Sequence, residues 1–424
     1  MRAFRAGAGA WAAGAVWLLV LAGCGRRDLT VRTLSEYGQS PIASILLQAD
    51  DGEWVFTDDQ GEAVLHDVGT PFTVRVHQHV IGQFPEQSGG WANDDVWVLQ
   101  SPEGDPLVLL VDGNFVTRDY ASVTGSLSGT SGGPFRVFAS NGTSDRMPYS
   151  VYGAGTQFDL GFQWEGVGRP LDTTFRAFET DSTVLPGHYA AYGEYSARLE
   201  PGAALNDFTI PLQPVNEATV TAAPTVPGGL GANVQLELSA SLQVEGGGGV
   251  MWLGAITSGP SLSAVFPQVS GTVPWMGITA RDMGTFDGAQ SWDRHAVSPP
   301  ETGVPFDLPP AVALVDPAEG ATINQDTVFR WRGGPAGGQT TFHLICNWSD
   351  AAGVTRQVNF RTVEGSGTEA RLPAIPNLDL AGASSCRWSV GWAPAGTHEG
   401  ALLSERGASQ YRGSRSQSRS AVFK

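Results

Sequence analysis

The sequence predicts an all-β protein, with several β-sandwich domains in a row behind a cleaved N-terminal signal peptide. Two observations carry this. Apolar residues alternate with period two, most clearly Val234, Leu236, Leu238, Ala240, Leu242 and Val244, the signature of a half-buried strand. Phe72, Val74 and Val76 repeat the pattern, as do Phe342, Leu344, Cys346 and Trp348. Stretches free of Gly and Pro are also short, because 55 Gly and 27 Pro interrupt a chain of 424 residues. Many short strands joined by turns are therefore expected. One segment has helical spacing, Leu171, Phe175 and Phe178 at i, i+4 and i+7, but its Thr content reads it as strand.

The N-terminus carries Arg2 and Arg5, then the apolar run Ala10 to Leu21. That run is too short for a bilayer, which needs about 20 residues. It ends in Leu21-Ala22-Gly23-Cys24. This resembles a bacterial lipobox, which implies cleavage before Cys24 and lipidation of its thiol. Residues 1–23 are then signal peptide and 24–36 a lipidated tether. Two or three acyl chains anchor stably where one binds only marginally. Gly25 follows the cysteine where inner-membrane lipoproteins often carry Asp, so the resemblance favours the outer membrane or cell surface over the inner membrane.

About 401 residues remain, enough for two to four domains. Net charge is −17, and −19 without Arg2 and Arg5. An acidic chain has no general attraction for nucleic acid or anionic lipid, so nucleic acid is set aside as a partner. Charged residues make up only 16% of the chain, below the usual quarter. Its surfaces must rely on Ser, Thr, Asn, Gln and backbone.

The first domain is expected over 28–114. It reads Pro41-Ile-Ala-Ser-Ile-Leu-Leu-Gln, then Thr57-Asp58-Asp59-Gln60-Gly61, then Pro71-Phe-Thr-Val-Arg-Val. Asp58 can close the turn with its side chain and Gly61 supplies a positive φ. Over about 60 residues this resembles the carboxypeptidase regulatory-like (transthyretin-like) sandwich, whose modules are non-catalytic. A second sandwich, 121–215, opens Val123-Thr-Gly, and a third β domain, 216–308, opens Val220-Thr-Ala. These similar openings hint at related units. A proline-rich linker, Ser298 to Pro310, leads to the last domain, 309–424. Its Pro317-Ala-Glu-Gly-Ala turn before a strand ending in Trp331 resembles fibronectin type III-like modules of bacterial surface proteins.

Cys346 and Cys386 both alternate onto the apolar faces of their strands. In a type III-like order those strands are antiparallel neighbours, which implies a disulfide. An exported location permits one.

Four constellations hold residue types suited to chemistry. Gly129-Thr-Ser131-Gly-Gly133 fits G-x-S-x-G, but no helix-length pattern follows it and no matched His and Asp precede it. It reads as a loop between strands. His77 and His79 share a strand face and can chelate a metal. Arg75 shares that face, opposite Phe72, Val74 and Val76, which reads it as the solvent face, and no third ligand is visible nearby. Asp50, Asp51, Glu53, Asp58 and Asp59 offer hard oxygen ligands, yet hairpin turns explain Asp58 and Asp59. Asp94-Asp95 between Trp91 and Trp97 suits either a sugar-binding surface or core tryptophans beside an acidic loop. No catalytic, cofactor-binding or metal residue is assigned, and no cofactor is expected. The sequence thus points to a non-enzymatic, lipid-anchored envelope protein, whose β modules serve as spacers and as binding or adhesion domains for a protein or glycan. An envelope hydrolase with an unrecognised site and a purely structural stalk stand as alternatives. The pattern of Trp91, Trp97, Trp252, Trp275 and Trp292, buried or aligned on a surface, separates binding from scaffolding.

Overall fold

The computed structural model describes residues 26–35, 40–83, 90–102, 104–111, 118–139, 149–165, 168–245, 249–257, 262–285, 287–332, 334–349, 354–364, 367–378, 380, 382–394 and 412–424. The lipobox-like segment and Cys24 lie outside them. The described residues form β-strands and turns, arranged as several β-sandwiches, and none of their helices is long and apolar enough to cross a membrane.

Four hydrophobic clusters organise the chain. The first gathers Leu29, Val31, Leu47, Val74, Val76, Trp97, Leu107 and Leu109. It fills the space between a small sheet (Glu62–Val68, Arg27–Ser35, Leu107–Val111) and the strands Val55–Phe56, Leu46–Ala49, Thr73–Gln83 and Gly90–Gln100. The second gathers Val123, Phe135, Val137, Phe162, Phe175, Phe208 and Ile210. It lies between Gln157–Glu165, Arg118–Ser128, Ala204–Pro211 and the five-stranded sheet centred on Leu171–Thr180. The third includes Val220, Leu238, Leu242, Met276, Ile278 and Phe306. The fourth includes Phe329, Trp331, Phe342, Leu344, Trp388 and Val390.

The same closure recurs in the first three units. The opening strand pairs in parallel with the closing one: Arg27–Ser35 with Leu107–Val111, Arg118–Ser128 with Ala204–Pro211, and Glu217–Thr225 with Glu301–Asp307. In the fourth, Ala321–Ile323 pairs in parallel with the final Arg419–Phe423. The Val-Thr openings at 123 and 220 fall in such opening strands. Parallel closure sends entry and exit to opposite ends of a unit, which suits units joined end to end.

Leu171–Thr180 is a strand, and its helical spacing has a physical cause. Phe175 faces the second core, while Phe178 points the other way, into the third cluster with Phe138 and Tyr189. A strand buried on both faces loses its alternation. The turn at Asp58 is built from side chain and glycine together. Asp58 Oδ1 accepts from the Gln60 and Glu62 amides, both 2.9 Å away. Gly61 has φ 71°, and a Cβ there would stand 2.4 Å from the Thr33 carbonyl. Asp50 Oδ1 accepts from the Thr73 amide at 2.8 Å, so this acidic residue too is used by a hairpin.

The units also share sheets. Gln290–Ala296 of the third pairs with Arg412–Arg415 of the fourth. Thr355–Glu364 of the fourth pairs in parallel with Gly90–Gln100 of the first. One continuous sheet therefore runs from Val250–Thr257 through the fourth unit to Val55–Phe56. Between second and third units, the buried Arg136 guanidinium donates to the carbonyls of Val184, Leu253 and, at 3.3 Å, Trp252.

Candidate functional site

The continuous sheet has two faces. In the third and fourth units one face covers the cores. The other stays open and forms a groove of about 540 Å³. Strict alternation assembles it. Glu237 and Ser239 come from Val234–Val244, Thr279 and Arg281 from Thr272–Asp282, and Trp292 and Arg294 from Gln290–Ala296. Arg415, Ser389, His343 and Arg361 continue the row, one from each successive strand, and Trp97 of the first unit closes it. Register places them side by side: Thr279 opposite Trp292, Gln290 opposite Arg415, His343 opposite both Ser389 and Arg361, and Arg361 opposite Trp97.

The groove is cationic on an acidic chain. Arg281, Arg294, Arg361 and Arg415 line it. Glu237 and Asp293 are the carboxylates that line it, Asp293 accepting from the Asp307 amide at 3.0 Å, and Asp95 lies 3.9 Å from Arg361 at the Trp97 end. Arg361 lies 4.3 Å above the Trp97 ring, and Arg294 lies 5.7 Å from the Trp275 ring while donating to Ser241 Oγ at 2.6 Å. Cation–π contacts of this kind contribute about 0.5–2 kcal/mol each. Burial, then the Arg361 and Arg415 charges, push His343 down to about 3. The ring is therefore neutral at ordinary pH. Arg415 Nε and Trp292 Nε1 are buried and have no hydrogen-bond partner among the described residues, and donors in that state call for one.

Of the five tryptophans, Trp97 is 5% exposed under Arg361, Trp252 is 42% exposed, and Trp91, Trp275 and Trp292 are half-buried. Trp97, Trp252 and Trp292 line the groove. Asp94 and Asp95 sit inside the strand Gly90–Gln100, not in a loop, and alternation sends them to opposite faces. Asp95 Oδ1 accepts from Asn359 Nδ2 at 2.9 Å, across the junction with the fourth unit.

The structure differs from the sequence reading at His77 and His79. Their face is not simply solvent: His77 is 9% exposed, in a cleft whose other wall includes Trp348 and Leu378 of the fourth unit. Asp94 supplies the third polar group, its Oδ1 2.7 Å from both His77 Nε2 and His79 Nδ1. Burial works to raise the Asp94 carboxyl, and the hydrogen bonds and charges of the two imidazoles outweigh it, holding it below its ordinary value. Ser131 lies in the loop between Arg118–Ser128 and Pro134–Ala139, where its amide donates to Glu179 Oε1 at 2.8 Å and its hydroxyl at 2.5 Å. Burial acts to raise Glu179, and these hydrogen bonds bring it below its ordinary value. Cys346 and Cys386 form a disulfide between directly opposed residues of antiparallel strands.

No protein-family model matches the chain, and no curated protein matches it. Solved structures with local likeness include the Bacillus anthracis TIE protein, at 12% identity over 66% of this chain and 49% of that one, TM-score 0.15. The chain thus spans about half the length of that protein. A streptococcal ancillary pilin aligns at 7% identity over 66% of this chain and 98% of its own, TM-score 0.15. The Corynebacterium diphtheriae major pilin SpaA aligns at 10% identity over 67% and 100%, TM-score 0.13. Superpositions at this level do not carry an arrangement or a role from those proteins to this one.

Proposed function

We propose that this chain is a lipid-anchored, non-catalytic envelope protein that uses the groove on its shared sheet to bind an acidic saccharide. The carrying observation is the groove: tryptophan rings and four arginines on a rigid face of a chain with net charge −17. Rings of sugars stack on half-exposed indoles, and guanidinium groups hold carboxylates through charge-assisted hydrogen bonds. Arg415 Nε and Trp292 Nε1 are donors awaiting acceptors. The sheet positions these groups before the ligand arrives, which keeps the ordering cost of binding low. Tethering through Cys24 would hold the modules at the envelope surface, and the regulatory-like and type III-like readings of the first and last units agree with a non-catalytic role.

The test is calorimetric titration with uronic-acid oligosaccharides and their neutral counterparts. Binding of the acidic series, lost in Trp292→Ala, is expected. Equal affinity for acidic and neutral sugars, or no binding of either, would refute the reading.

A further inference from the structure

A second constellation lies on the sheet face opposite the Trp97 side of the groove, in a cleft of about 500 Å³ between the first and fourth units. His77 and His79 alternate on one face of Thr73–Gln83, and Asp94 is the register partner of His79 on the neighbouring strand. Two adjacent strands thus fix three side chains with no loop involved. Their ligand atoms lie within 4.8 Å of one another. Both imidazole nitrogens address the same oxygen, Asp94 Oδ1, at 2.7 Å each. Asp94 is only 5% exposed, whereas the His79 side chain is 44% exposed and opens to the cleft. Ser44, Trp348, Arg356 and Asn377 line the remaining walls.

We infer that His77, His79 and Asp94 form a binding site for a divalent transition metal of the zinc class. Two nitrogens and one carboxylate oxygen suit such a metal, while calcium and magnesium want more oxygens. Three protein ligands with a fourth position facing a cleft make an open site, which water or a small anion completes. Bond lengths near 2.0–2.1 Å place tetrahedral ligand atoms roughly 3.3 Å apart, so the nitrogens must retreat by about 0.6 Å from Asp94 Oδ1. A small rotation of the side chains supplies this, the exposed His79 with least hindrance. The step balances as a tautomer change. The metal binds neutral imidazoles through His77 Nε2 and His79 Nδ1, each ring keeps its one proton on the other nitrogen, and Asp94 stays a carboxylate. All three ligands belong to the first unit, so an ion held here stabilises its pair of strands by binding the folded form alone.

The experiment is calorimetric titration of the chelator-treated protein with zinc chloride, with calcium and magnesium chlorides as controls. Replacement by Co(II) reports nitrogen ligation through visible ligand-field bands. One equivalent of zinc is expected, with an affinity at least about tenfold weaker in His79→Gln and in Asp94→Asn. His188→Gln, an exposed histidine paired with Glu217 elsewhere, serves as control and keeps full binding. Circular dichroism and melting of each variant establish that it folds. Failure of the parent protein to take up one equivalent, or less than tenfold weakening in folded His79→Gln, would overturn the assignment.

Discussion

Removing the Cys346–Cys386 disulfide should destabilise the fourth unit more than any other region. The two residues are 40 apart in sequence. In the chain-entropy treatment, opening a loop of that length costs about 4 kcal/mol. Both side chains are fully packed, at 0% and 1% exposure, among Phe342, Leu344 and Trp388. Replacement by Ala at both sites therefore adds a small cavity cost, whereas reduction alone leaves the packing in place. If the fourth unit melts with one neighbour, as its shared sheets require, 4 kcal/mol corresponds to a fall in Tm of roughly 8–16 °C. The assay is differential scanning calorimetry of protein carrying Cys24→Ser, with and without reductant. Alkylation in denaturant before reduction should label no thiol in that variant. Two labelled thiols, or an unchanged melting profile on reduction, would refute the reasoning.

Three further outcomes can be measured, two from the structure and one from the proposed anchor. Arg136→Met leaves the carbonyls of Trp252, Leu253 and Val184 without their donor and should cost roughly 2–3 kcal/mol, read as a lower urea midpoint and faster proteolysis between second and third units; an unchanged midpoint contradicts it. His343, pushed down to about 3 in the folded protein, binds its proton more readily when unfolded, so its stabilising contribution is intact above about pH 6.5 and is lost progressively toward pH 3, by at most about 4–5 kcal/mol. Its ring resonances in NMR should stay constant from pH 8 to pH 5, and a midpoint near 6.5 sinks the account of the groove charge. Cys24→Ala should release the protein from membranes with its melting unchanged, and a variant still acylated and membrane-bound overturns the anchor.

What was legible in the sequence is what depends on neighbours along one strand. The alternation at 234–244 and 342–348 put Leu238, Leu242, Phe342 and Leu344 in cores, because side chains on a strand alternate whatever the sheet order. The same rule put Cys346 and Cys386 on apolar faces. The groove was hidden because its residues meet only through register between distant segments: Arg361 beside Trp97, and Arg415 beside Gln290. Nothing local announces such pairings. Asp94 escaped notice as the partner of His77 and His79 for the same reason, since cross-strand pairing, and not sequence distance, brings them together. His77 is buried in a cleft whose other wall belongs to the fourth unit, which no linker composition encodes. One local signal was available: Trp292 and Arg294, two apart, share the open face.

The central claim, an acidic-saccharide groove, is tested most directly at Arg415. It contributes charge and a buried donor with no partner among the described residues to the groove floor. In Arg415→Gln, calorimetry should show affinity for uronic-acid oligosaccharides reduced by about ten- to a hundredfold, the worth of one charged hydrogen bond, with melting and neutral-sugar response unchanged. Retention of full affinity in a folded Arg415→Gln protein would contradict the account.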